Sequence, residues 1–135
     1  MKDGVEERQG RVLIIDDDAA FLKIIKNYVK ENYPCLNVKA CEEPVRGLAA
    51  IDADLDLLLL DLEMPGLDGG KILSYAKSIG INKSRIIILS GRDADYLHEL
   101  FPMGSCLAVL NKHEVRQKAV LDMIFSSLQT KCGGK

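Results

Sequence analysis

Four apolar stretches of this chain each run into residues that can do chemistry. VLII (12–15) leads to Asp16-Asp17-Asp18, LLLL (57–60) to Asp61, IIIL (86–89) to Ser90, and CLAVL (106–110) to Asn111 and Lys112. Carboxylates gathered from the first two stretches repel one another, so a cluster of them calls for a cation. Hard oxygen donors favour Mg²⁺, which keeps part of its water shell and leaves positions for a substrate's oxygens. Asp16, Asp17 and Asp61 bring three negative charges against one positive on Lys112, and one divalent cation neutralises the excess. A phosphoryl group then becomes tolerable, its oxygens shared among the metal, the Lys112 ammonium and the Ser90 hydroxyl. Asp61, at the end of a purely apolar run, is the natural nucleophile.

For that chemistry the ends of all these stretches must meet. The three strongest runs are continuously apolar, not alternating, as suits parallel strands covered on both faces. LNVKAC (36–41) alternates like an edge strand, and CLAVL is short and apolar, which makes five strands. Helical patterns lie between them. Phe21, Leu22, Ile25, Tyr28 and Val29 form one stripe on a helix that Asp18 caps. Pro44 opens a short helix carrying Val45, Leu48 and Ala49. A third helix, about 70–78, turns Ile72, Leu73 and Ala76 inward; a fourth covers about 93–101 and a last one about 114–128. Strict alternation of strand and helix implies right-handed crossovers, hence an α/β, flavodoxin-like (βα)5 fold with strand order 2-1-3-4-5. In such sheets the ligand site lies beyond the carboxyl ends of the strands, at the switch in strand order.

Composition sets limits on function. With 135 residues, 47% of them hydrophobic, the chain has material for one core and no room for a second domain. A net charge of -2, scattered lysines and arginines and 5% aromatic residues argue against direct contact with DNA or RNA. No apolar run approaches the roughly 18 residues of a membrane span, and the polar start MKDGVEERQG is unlike a signal peptide, so a cytoplasmic protein is expected. Cys35, Cys41, Cys106 and Cys132 show no CxxC spacing and read as free thiols. His98 and His113 have no metal-ligand spacing around them, and PGLDGGKI has Ile72 where a phosphate loop needs Ser or Thr after Lys71. On the last helix, Leu121 and Phe125 lie outside the stripe of Val120, Ile124 and Leu128. That leaves a helix packed on two sides or a partner surface, a homodimer among the options.

Taken in order, VLIIDDD, LLLLDLEMPGLDGG, IIILSG and VLNK resemble the receiver domain of two-component response regulators, the CheY-like family. The resemblance covers about residues 11–128, with a polar tail before it (1–10) and another after it (129–135). It implies that Asp61 is the phosphoacceptor and that Asp16 and Asp17 hold Mg²⁺ together with Asp61 and the backbone carbonyl of Glu63. It implies further that Ser90 follows the phosphoryl group on activation and that Lys112 pairs with it. The partners implied are a sensor histidine kinase or phosphotransfer protein upstream and an unidentified target protein downstream. On this reading the chain is not an enzyme but a switch that assists its own phosphorylation and dephosphorylation. Two other functions use the same residues: a docking module that never takes phosphate, and a small phosphohydrolase working through an aspartyl-phosphate. The second expects its nucleophile after the first strand, whereas Asp61 follows the third.

The chain departs from the family in two places. His113 follows Lys112 where family members usually carry proline, and Val109 stands where a switching aromatic is usual. The expected route for the signal is therefore the loop after Ser90 and the fourth helix. Glu63 and Arg92, each two residues past a site residue, are expected to pair across the path of the hydrolytic water.

Overall fold

Four consecutive leucines can be buried in a strand only if both faces of the sheet are covered, because neighbouring side chains point to opposite sides. The computed structural model, which describes residues 10–61, 64, 69–90, 108–111 and 115–132, meets that requirement. Its strands are β1 (Gly10–Ile15), β2 (Leu36–Cys41), β3 (Leu57–Asp61), β4 (Ile86–Ser90) and β5 (Ala108–Asn111). They pair in parallel in the order β2-β1-β3-β4-β5, the order expected. The described α-helices are α1 (Ala19–Asn32), α2 (Pro44–Ala50), α3 (Gly69–Ile79) and α4 (Val115–Cys132), with one 3-10 turn, Lys83–Arg85, before β4. The helix expected near 93–101 lies outside the described residues.

The leucine run divides its side chains between two cores. Leu57 and Leu59 join Val12, Ile14, Ile87 and Leu89 beneath Leu22, Ile25 and Val29 of α1 and Leu121 and Phe125 of α4. Leu58 and Leu60 join Leu13, Ile15, Ile86 and Ile88 beneath Ile72, Leu73 and Ala76 of α3. Leu121 and Phe125 are thus core residues, 7% and 1% exposed, and the partner-surface reading of these two side chains does not hold. Asp18 caps α1 as expected, its Oδ1 accepting from the Phe21 N–H at 3.1 Å.

Helix α2 forms as expected from Pro44. Val45 is 67% exposed, while Gly47 is buried and Leu48 and Ala50 pack partly against the core. The cause is the close approach of the helix to β1. A Cβ on Gly47 would sit 2.7, 2.8 and 2.9 Å from three side-chain carbons of Ile15, which is itself fully buried. Gly47→Ala should therefore destabilise the protein by about 1–2 kcal/mol, because overpacking outweighs the roughly 1 kcal/mol that alanine gains over glycine as a helix former. Urea denaturation measures this directly, and a variant as stable as its parent would disprove the contact.

A polar seam fastens α4 to α1. The hydroxyls of Tyr28 and Tyr33 both donate to Asp122 Oδ1, at 2.5 and 3.0 Å. The Lys118 ammonium lies 4.9 Å from the Tyr28 ring centroid, and the rings of Tyr33 and Phe125 are 5.7 Å apart. The bond to the Asp122 carboxylate, with burial second, pushes the Tyr28 hydroxyl from its ordinary 10.0 up to about 12. The sign follows: the folded state holds the Tyr28 proton more tightly, so this contribution to stability is intact below pH 10 and is lost as pH rises through about 12. In Asp122→Asn, phenolate absorbance followed by alkaline titration should show Tyr28 returning toward 10 and the Tyr33 titration moving down with it.

The cysteines correct the sequence reading. Cys35, in the loop after α1, and Cys132, in the last turn of α4, are disulfide-bonded. Both elements run back to the amino edge of the sheet, which brings together residues 97 apart in sequence. Cys41 is free, and Cys106 lies outside the described residues.

Candidate functional site

Sheet register sets the site. Ile15 of β1 is level with Leu60 of β3, so the next residues, Asp16 and Asp61, emerge side by side at the carboxyl edge. These two strands flank the switch point, since the chain turns to β2 on one side of β1 and to β3 on the other. Asp61 is level with Leu89 of β4, and Ser90, one step on, is level with Asn111 of β5. The hydrogen bond from the Asp16 N–H to the Cys41 carbonyl (3.1 Å) holds the end of β1 against β2.

Asp16, Asp17 and Asp61 each place a carboxylate oxygen within 4.8 Å of the other two. Asp16 and Asp61 are buried, at 0% and 3% exposure, while Asp17 is exposed. At this separation each pair of unit charges repels by about 3–4 kcal/mol for an effective dielectric near 20. A donor set of three carboxylate oxygens, one facing solvent, fits a divalent hard cation that keeps some of its water. Ser90, fully buried, stands on the adjacent strand.

One contact escaped the sequence reading. Asp16 Oδ1 accepts from the Asp18 N–H at 2.9 Å, an Asx turn that orients the Asp16 carboxylate while Asp18 caps α1. An aspartate two residues before a helix cap is the signal that could have revealed it. Met64, three residues past the end of β3, is 4% exposed and packs into the core beside α3. Lys112, Glu63, Arg92 and His113 lie outside the described residues, so their expected roles and the expected Glu63–Arg92 pair are not placed. The same holds for the expected signal route through the loop after Ser90 and the fourth helix. Val109 is half-buried and packs against the α3-side core.

The family model for the response regulator receiver domain matches residues 12–124. The chain belongs to that family. This receiver is 33% identical over 101 residues to Sporulation initiation phosphotransferase F of Bacillus subtilis, a match covering 70% of this chain and 76% of the relative. It is 32% identical over 86 residues to Transcriptional regulatory protein ResD of the same organism, and there the match covers 62% of this chain but only 33% of the relative. The match to a two-component response regulator of Arabidopsis thaliana covers 16% of that protein. The receiver thus spans a minor part of several relatives. Among solved structures, a CheY-like receiver domain protein from Methanospirillum hungatei superposes with a TM-score of 0.72 at 24% identity, covering 91% of this chain and 98% of that one. That likeness shows the flavodoxin-like receiver fold. Among the described residues no helix is long and apolar enough to cross a membrane.

Proposed function

We propose that this receiver is a phosphorylation switch in which Asp61 accepts a phosphoryl group from a phosphohistidine on a sensor histidine kinase or phosphotransfer protein. The observation that carries the reading is the meeting of three carboxylates, two of them buried, at the switch point beside Ser90. A carboxylate oxygen of Asp61 attacks phosphorus in line. The new O–P bond forms as the P–N bond breaks, and the departing imidazole keeps the electron pair and takes up a proton. Asp16, Asp17, Asp61 and the Glu63 carbonyl would hold Mg²⁺, which supplies charge neutralisation to the phosphoryl oxygens. The buried Ser90 hydroxyl and the Lys112 ammonium are the protein's own donors to those oxygens. The switch assists its own phosphorylation and the later hydrolysis of the acyl phosphate, and it acts in the cytoplasm by changing which target protein it binds. This reading needs no turnover of an external substrate.

Intact-mass analysis after incubation with acetyl phosphate, with and without Mg²⁺, tests the proposal. One phosphate added only in the presence of Mg²⁺ is expected. Failure to gain it, under conditions where another receiver does, would favour a phosphorylation-independent docking module; rapid multiple turnover of acetyl phosphate would favour a phosphohydrolase.

A further inference from the structure

We propose that Cys35 and Cys132 form a reversible thiol–disulfide latch, closed by a low-molecular-weight disulfide, that fastens the last turn of α4 to the loop between α1 and β2. Three contacts bring the two elements together without any covalent bond. The Cys35 N–H donates to Gln129 Oε1 at 2.9 Å, the Tyr33 hydroxyl donates to Asp122, and the Tyr33 and Phe125 rings pack against each other. With their Cα atoms 6.3 Å apart, the two cysteines are within the span of a disulfide. The reduced pair would therefore stay poised to close.

Neighbouring groups also suit the open state. Cys132 Sγ lies 3.3 Å from the Cys35 carbonyl oxygen and 3.6 Å from that of Gln129, so a thiol there has acceptors in reach. Both cysteines are half-buried, which leaves them accessible to a small oxidant. Cys41 does not compete for either sulfur. It lies six residues past Cys35 at the far end of β2, about 20 Å along an extended strand.

Closure proceeds by two exchanges. One cysteine thiolate attacks a sulfur of oxidised glutathione, breaking its S–S bond, forming a mixed disulfide and releasing one glutathione thiol. The second cysteine thiolate then attacks the protein sulfur of the mixed disulfide, forming the Cys35–Cys132 bond and releasing the second glutathione. The two protons lost by the cysteines end on the two glutathione thiols, and the two electrons reduce the oxidant. The latch closes at the amino edge of the sheet, where Gly10 is level with Leu36. The acid cluster, at the carboxyl edge, is left untouched.

The test equilibrates the whole protein in glutathione buffers of graded oxidised-to-reduced ratio, then quenches with acid, alkylates and maps peptides by mass. Expected are a single transition in which two thiols disappear together, a Cys35–Cys132 linked peptide, and a Tm higher by about 5 °C or more in the oxidised form. In Cys132→Ser and in Cys35→Ser both the linkage and the Tm difference should vanish. Four alkylatable thiols at every ratio would overturn the proposal, as would a linkage through Cys41 or Cys106. So would a pair that stays oxidised in excess reduced glutathione, since that is a permanent staple and not a latch. The buffer series on the unaltered protein decides these outcomes even if a serine variant fails to fold.

Discussion

The Asp61→Asn protein is expected to gain no phosphate from acetyl phosphate at any Mg²⁺ concentration, a complete loss and not a partial one. Asparagine keeps the shape of the side chain, so β3 and both cores around it should be undisturbed, but an amide oxygen does not form a stable acyl phosphate. The same change removes one of three carboxylates whose oxygens lie within 4.8 Å of one another. Loss of one anionic ligand should weaken Mg²⁺ binding by about tenfold or more, which at a fixed, near-saturating Mg²⁺ concentration lowers the metal-linked stabilisation by about 1.4 kcal/mol. Thermal melts over a Mg²⁺ series separate the two effects. A variant that still takes up one phosphate would remove Asp61 from the role of acceptor, and one whose melts respond to Mg²⁺ as the parent's do would remove it from the metal site.

The largest effect on stability is expected at Leu59. It is fully buried in the central strand, among Ile14, Ile87 and Phe125 on the side covered by α1 and α4. Leu59→Ala removes the apolar contact of the branched side chain and leaves a cavity that neighbours pinned in a parallel sheet refill poorly, at a cost of about 3–5 kcal/mol. Against a typical total of about 5–15 kcal/mol this is a large share. The midpoint of urea denaturation should fall while the slope stays constant, and a loss under about 1 kcal/mol would mean that the α1–α4 side is not closely packed around β3.

How much of this was legible depends on whether local pattern or distant contact decides the outcome. Leu57–Leu60 and Ile86–Leu89 announced buried parallel strands because such short, continuously apolar runs suit a strand covered on both faces. Asp16, Asp17 and Asp61 were legible for the same reason, since a residue that ends such a strand has its position set by sheet register. Which face of helix α2 turns inward was not legible, because it is chosen by the fit of Gly47 against Ile15, a contact between elements that no spacing within the helix encodes. Leu121 and Phe125 were ambiguous because apolar residues stand on more than one side of α4. The pairing of Cys35 with Cys132 gave no sequence signal at all. It follows from two elements ending at the same edge, which becomes visible only when the sheet is assembled.

The register that levels Asp16 with Asp61 has a consequence for how such a chain can diverge. The backbone ladder and the apolar side chains behind the acids are set by residues within the strands, so the middle of the sheet acts as a ruler that places whatever small polar side chain the carboxyl edge carries. Substitutions of similar size and polarity at positions 16, 61 and 90 can change the chemistry while the ladder behind them keeps its register. Drift inside Leu57–Leu60 has no such freedom.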